Sequence, residues 1–243
     1  MTSKKQQRLH EKIRDAIERQ FSDLAYFSPI PGERELCQQL GVSRPTVRKA
    51  LELLEAENKI VRMQGRGSFY MGEKIPVDYS EVETRGFGLA QMFSAEGRVT
   101  RSTVLQQVVE PAHGNLAAML GVAAETLVFH LKRLRYVDEH IYAVTDDYIP
   151  LALCPELMHV DFTSSGLLRT LEAHGVHPYA EDKTIEVIHA APEIALYLEV
   201  EEQAPIFVTR ILTTDRTGRV IQYATAKADA FRSRFRVRST AKE

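Results

Sequence analysis

Cysteine is scarce in this chain of 243 residues, which holds two. Cys37 falls on an apolar helical face and Cys154 stands beside Pro155, at no paired spacing. Neither a disulfide framework nor cysteine-based zinc chemistry is therefore expected, and a reducing, cytoplasmic compartment is. No apolar run reaches the ~18 residues that a membrane helix needs, and no apolar leader follows the polar, cationic start, so a soluble chain with no membrane partner is expected. Internal repeats and low-complexity tracts are missing. So are a nucleophile and base at recognisable spacing and any cofactor motif, which argues against an enzyme and for no cofactor.

Charge is nearly balanced, 31 Lys and Arg against 33 Asp and Glu, but it is unevenly placed. Residues 1–72 carry 13 basic and 9 acidic side chains, and the remainder carries 18 and 24. A basic front end suits a polyanion, whereas the acidic remainder would be repelled by one. The length exceeds one domain at ~150 residues each, and two are expected.

The basic part contains the most informative run, PGERELCQQLGVSRPTVRKALELLEAENKIVRMQGRGSFYM, residues 31–71. Leu36, Cys37 and Leu40 share one face of a short helix, and Val47, Ala50, Leu51 and Leu54 follow helical spacing on a second. Gly41 breaks the first helix, Val42 plugs the corner, Ser43 is a good N-cap and Pro45 is tolerated in the first turn. Arg44, Thr46, Arg48 and Lys49 are left facing outward at the start of the second helix. There the fork of Arg44 or Arg48 matches guanine O6 and N7 and Lys49 suits phosphate. Ile60, Val61 and Met63 then form a strand, residues 64–67 a glycine turn, and Ser68, Phe69 and Tyr70 a returning strand. Gly65 and Gly67 leave a thin tip on which Arg66 can reach a minor groove. The run reads as a winged helix-turn-helix that binds double-stranded DNA. Leu9, Ile13, Ala16 and Ile17 supply its first helix.

Gly72 to Glu83, with Pro76 and no clear period, reads as a linker. The expected domains are 1–72, a linker 73–83, and 84–243. The last is an α+β domain around a mostly antiparallel sheet. Its helices are expected near 88–96, 113–120, 164–174 and 192–199, and its strands near 103–110, 126–137, 141–149, 183–190, 205–214 and 219–229. In the strand TLVFHLKRLRYV, alternation aligns Leu127, Phe129, Leu131, Arg133 and Arg135 on one face. Two guanidiniums thus continue an apolar row, and burying them unpaired would cost several kcal/mol each. Either they meet an anionic ligand, or the strand end is exposed with Arg135 paired to Asp138 or Glu139. Asp146, Ser165 and Glu186 can converge with them. His174 and His177 lie three apart but are separated by Gly175, with Pro178 following and no Cys or carboxylate cluster adjacent, so they read as loop histidines and no metal is expected.

Residues 31–70 resemble the GntR family of bacterial transcription regulators in their P-x-E-R-x-L start, S-R-x-T-V-R helix and Q-G-x-G-S-F wing. The resemblance implies DNA contacts from Arg34, Arg44, Thr46, Arg48, Gly65, Arg66 and Gly67, and the reading of the helix adds Ser43 and Lys49. Gly32 stands where members often carry Ser. Residues 84–235 are similar to the UTRA effector domain of the HutC-type members, in R-x-R at Arg133 and Arg135, Y-I-P at 148–150, Ser165 with Gly175, and T-I-E at 184–186. What this implies is a chorismate lyase-like fold, a homodimer and an effector pocket of Gly86, Phe87, Gly88, Arg133, Arg135, Asp146 and Ser165, to which the reading of the strands adds Glu186. It also implies release from an operator by a small anion such as a sugar phosphate, phosphonate or carboxylate. Gly86, Gly88, Leu167 and Gln222 depart from the family's usual residues. The competing expectations are a lyase-like enzyme and a DNA-binding protein without effector.

Overall fold

A computed structural model describes residues 2–22, 24, 28–63, 65–72, 74–79, 88–94, 97–138 and 140–237. By its internal contacts the chain divides into Met1–Lys74 and Ile75–Glu243.

The first unit holds α1 (Thr2–Phe21), β1 (Ser28–Ile30), α2 (Glu33–Leu40), α3 (Arg44–Ala56), β2 (Ile60–Met63) and β3 (Gly67–Tyr70). Its core follows the helical spacings: Ile13, Ile17 and Phe21 of α1, Leu36 of α2 and Val47, Ala50, Leu51 and Leu54 of α3 are all buried. Leu9, one turn too early on the same stripe, is 41% exposed. Gly41 ends α2 in the left-handed region at φ 64°, and the Val42 amide returns to the Cys37 carbonyl, an arrangement a Cβ would strain. The β2–β3 hairpin has β1 as a third strand, in the order β1-β3-β2. The sequence did not signal β1, which is three residues long and contains Pro29.

The second unit is built on six antiparallel strands: β5 (Thr100–Pro111), β6 (Leu127–Val137), β7 (His140–Pro150), β8 (Ala180–His189), β9 (Pro205–Thr214) and β10 (Val220–Asp229). They lie in the order β5-β6-β7-β10-β9-β8. One face carries Phe129, Leu131 and Ile149 under α6 (Leu167–Ala173) and two short 3-10 helices, Leu151–Leu153 and Pro155–His159. The other packs Val128, Leu134 and Val144 against α5 (Gly114–Leu120) and α7 (Pro192–Leu198). A short α4 (Leu89–Ser94) precedes β5. The expected helices and strands fall on these elements with ends shifted by a few residues. The linker expected at 73–83 does not hold throughout. Ile75–Asp78 forms β4, which runs parallel to β11 (Ser233–Arg236). Ile75 and Val77 are fully buried beside Phe93 and Tyr142. An isolated parallel pair of four-residue strands has no local turn signal, since its partner is 158 residues away in register.

Candidate functional site

The basic face of the first unit is organised by α3. Arg44, Arg48 and Lys49 project into solvent from its first two turns, each against a carboxylate of the same unit. Arg44 Nε lies 3.3 Å from Glu33, Lys49 Nζ 3.0 Å from Glu52 and Arg48 Nε 3.8 Å from Glu52. Glu33 also receives Arg62 at 2.8 Å. Exposed pairs of this kind contribute ~0–1 kcal/mol, so a phosphate or base edge can replace the carboxylate at little cost. Arg34 is exposed on α2. Gly65 and Gly67 hold φ 75° and 106°, and Arg66 between them is exposed, its guanidinium 6.0 Å from the Phe69 ring.

Two expectations on α3 need correcting. Thr46 does not face outward: it is buried, and its hydroxyl sits 2.8 Å from Ser43 Oγ. Ser43 is at the N-cap position in extended conformation but makes no side-chain hydrogen bond to a first-turn amide, because its hydroxyl is turned toward Thr46 instead. The third helical position lies over the turn that packs on the core, which fixes Thr46 inward.

In the second unit a cavity of about 90 Å³ opens on the α6 side of the sheet, several times the ~10–15 Å³ one water needs. Arg133 and Arg135 line it, side by side on β6 as alternation requires, and both are buried. Arg133 donates from Nη2 to Asp147 Oδ2 at 3.2 Å, and Gln222 Nε2 donates to Asp147 Oδ1 at 2.7 Å. Gln222 is itself fixed by the Thr213 hydroxyl at 2.9 Å. Asp147 is thereby spent on one edge of one guanidinium. Arg133 Nε and Nη1, and Thr145 Oγ1 on the facing strand, are buried with no hydrogen-bond partner among the described residues. Arg135 forms no ion pair there either. Burial first, then the like charge of Arg133, pushes its guanidinium down to about 9, partly opposed by Asp147. It is still charged at neutral pH.

The rest of the lining comes from separate elements: Gly88 ahead of α4, Gly166 and Leu167 at the start of α6, Glu181 and Lys183 on β8, Thr209 on β9, and Tyr79 and Phe235 following and within the β4–β11 pair. Lys183 is paired with Glu181, and its Nζ lies 4.9 Å from the Tyr79 ring. Burial raises the Tyr79 phenol to about 12, against a hydrogen bond with Thr209, so it is a neutral group. Three cations therefore face two carboxylates. Gly88, at φ 99°, leaves room that a Cβ would lose, at 3.1 Å from Gln91 Oε1.

Of the residues the sequence nominated, Arg133, Arg135 and Gly88 meet at this cavity. Gly86 and Phe87 lie outside the described residues. Asp146 is on the opposite face of the sheet, where His130 Nε2 at 3.1 Å and Lys227 Nζ at 3.2 Å hold it. Burial would raise its carboxyl, but the His130 bond and Lys227 outweigh that and it titrates below the ordinary range. Strand alternation carries the error, since Arg133 pairs with Thr145 and the residue two along, Asp147, shares its face. Ser165 precedes α6 but does not line the cavity; Gly166 does. Glu186 is exposed on β8 and pairs with Arg210. Asp138 pairs with Arg98 at 2.6 Å rather than with Arg135. Glu181, Lys183 and Tyr79 carried no sequence signal, as they reach the site from a strand and a segment distant in the chain. His174 is not isolated from other ligand types: Cys154 and Glu156 lie beside it. No helix among the described residues is long and apolar enough to cross a membrane.

Comparison with known proteins places both units. Residues 5–69 match the model of the bacterial regulatory proteins of the gntR family, and residues 95–232 match the UTRA domain. The transcriptional regulator GgaR of Escherichia coli K12 is 29% identical over 195 residues, 80% of this chain and 75% of its own length. The transcriptional repressor NagR of Bacillus subtilis 168 is 28% identical over 198 residues, 81% of this chain and 79% of its own. The crystal structure of PhnF from Mycobacterium smegmatis shares the fold over 95% of this chain and all of its own, with a TM-score of 0.66 at 22% identity. A winged helix-turn-helix head joined to an antiparallel effector domain is thus a ligand-responsive, DNA-binding transcription regulator, and this chain belongs to the GntR family, among its UTRA-bearing, HutC-type members.

Proposed function

We propose that the protein is a homodimeric repressor that leaves its operator when a small anion enters the Arg133–Arg135 cavity. The observation that carries this reading is the set of buried donors with no partner, Arg133 Nε and Nη1 beside Thr145 Oγ1, next to a second buried guanidinium. Buried cations persist where an anion completes them. The guanidinium fork favours a planar or tetrahedral oxyanion, a carboxylate or phosphoryl group. Arg133, Arg135, Thr145, Asp147, Lys183, Gln222 and Gly88 are assigned to the effector. Arg34, Ser43, Arg44, Arg48, Lys49, Gly65, Arg66 and Gly67 are assigned to DNA, with Thr46 supporting α3 from beneath. No catalytic role is assigned to any residue.

Two features support the regulatory coupling. Tyr79, which lines the cavity, is nine residues along the chain from Tyr70, the last residue of the wing, so an effector that shifts Tyr79 pulls on the segment leading to the head. Strand β8, which has no further strand beside it among the described residues, exposes Val187 and Ile188, at 59% and 41%, and such an apolar edge suits a second copy. Two heads would then read half-sites about one helical turn apart. A coupling of ~1–3 kcal/mol per site suffices for release.

The test is a thermal melt of the purified chain across sugar phosphates, phosphonates, carboxylates and amino-acid derivatives, followed by gel shift with any stabilising compound. An anion that raises the melting temperature and dissociates the operator complex is the expected result. Stabilisation by none, or by neutral compounds alone, would overturn the reading.

A further inference from the structure

A second ligand set of different chemistry lies at the other end of α6. We propose that Cys154, Glu156 and His174 form a zinc-type divalent metal site that ties the Pro155–His159 helix to the C-terminal end of α6. Their ligand atoms all fall within 4.8 Å of one another. Tetrahedral bonds of ~2.0–2.3 Å place ligand atoms roughly 3.3–3.8 Å apart, so only a small side-chain closure is needed. Cys154 Sγ and Glu156 Oε2 already stand 3.6 Å apart.

The ring of His174 is prepared for this role from outside the cluster. Its Nδ1 lies 2.8 Å from the Thr170 carbonyl, which can only accept, so Nδ1 carries the proton and Nε2 keeps its lone pair. Anchoring of the remote nitrogen by a backbone carbonyl is the usual support for a metal-bound imidazole. Cys154 is buried within the apolar cluster beneath α6, while Glu156 and His174 are exposed. The thiolate would hold the ion from the inside, and the exposed side gives an entry path and a fourth position for water. One thiolate, one imidazole and one carboxylate select zinc over magnesium or calcium, which prefer oxygen ligands. Binding replaces the thiol proton, which leaves to solvent.

The site goes beyond the regulatory reading and stands apart from the anion cavity, although the two share α6. Gly166 and Leu167 at its start line the cavity, and His174 is its C-cap. An ion held at His174 would steady that wall.

Cobalt(II) is the probe. The full chain, stripped with chelator, is titrated with cobalt and then with zinc. One equivalent of cobalt, with a thiolate-to-metal charge-transfer band in the near ultraviolet that zinc abolishes, is expected. Cys154→Ser should remove the band. Glu156→Gln and His174→Gln, both at exposed positions, should each weaken zinc binding by at least the ~10–100-fold that loss of a ligand's outer supporting partner costs, whereas Cys37→Ser and His113→Gln should leave it unchanged. The proposal is overturned if the wild type shows no band, or if the band survives Cys154→Ser or vanishes with Cys37→Ser. Should Cys154→Ser fail to fold, unchanged zinc affinity in both Glu156→Gln and His174→Gln overturns it equally.

Discussion

The two units use the same side chains under opposite conditions. On α3 the cations stand in water, with Arg44 75% and Arg48 67% exposed, and each leans on a carboxylate that is easily exchanged. On β6, Arg133 and Arg135 are below 10% exposed, and the nearest carboxylate, Asp147, is shared with Gln222 and satisfies only part of one guanidinium. Exposed cations gain affinity by releasing counterions from a polyanion, a term that many weak contacts sum. Buried ones gain it by completing a few hydrogen bonds in a low dielectric, where each is worth more and each omission costs more. On the proposed function the head holds a long charged surface reversibly, and the second domain recognises one small charge.

Salt breaks or sustains this contrast most sharply. If six to ten phosphates are neutralised, operator affinity should fall by roughly 10³–10⁵-fold between 50 and 200 mM salt. Effector affinity, measured by calorimetry over the same range, should change far less, because buried pairs are weakly screened. Equal slopes for both ligands would mean that the Arg133–Arg135 cavity is an extension of the surface.

The next effect is on folding. Asp147→Ala strands Arg133 beside Arg135 and releases Gln222, and removal of one partner from a buried pair costs ~3–5 kcal/mol. Urea unfolding should register that loss, and a saturating anion should restore part of it. Arg135→Met is predicted to behave in the reverse way. It removes a desolvated cation, so stability without ligand should hold or rise, while the stabilisation of ~2.7 kcal/mol expected from an effector at 100 times its Kd should disappear.

How far these sites were legible differs between the units for a physical reason. The head's function is written in local order: a cap position, a turn glycine, two apolar stripes and a glycine-tipped hairpin lie within about 40 consecutive residues, and each can be read from its neighbours. Even there the outward placement of Thr46 fails, since a residue in the first helical turn can face either way until the core beneath is known. In the second domain the strand R-x-R was readable because alternation needs only one strand. Asp147 needed the register of β6 against β7, and Lys183, Glu181 and Tyr79 needed the strand order β10-β9-β8 and the β4–β11 pair, none of which local pattern encodes. The Asp-Asp pair at 146–147 shows the limit in miniature, as adjacent identical residues face opposite sides of the sheet. The Cys154, Glu156 and His174 cluster was missed likewise, since His174 lies 18 residues beyond Glu156 and joins it only when α6 folds back.

The smallest effects test the head alone. Arg48→Ala should weaken operator binding by ~1–3 kcal/mol and relax preference at one base position if the guanidinium reads guanine, whereas a phosphate contact would lower binding evenly across sequences. Glu33→Gln probes the carboxylates rather than the cations. Glu33 holds both Arg44 and Arg62 and opens α2, where a negative charge is favoured by the helix end. Removing that charge should cost about 1 kcal/mol of stability, because the Arg44 side of one pair is solvent-facing and the Arg62 pair is only part-buried. It should at the same time raise operator affinity, as two cations lose an internal competitor and a repulsive charge leaves the DNA side. A loss of affinity in the gel shift would instead show that Glu33 positions Arg44 for the groove, and the head would then rely on preorganised pairs, as the effector domain does.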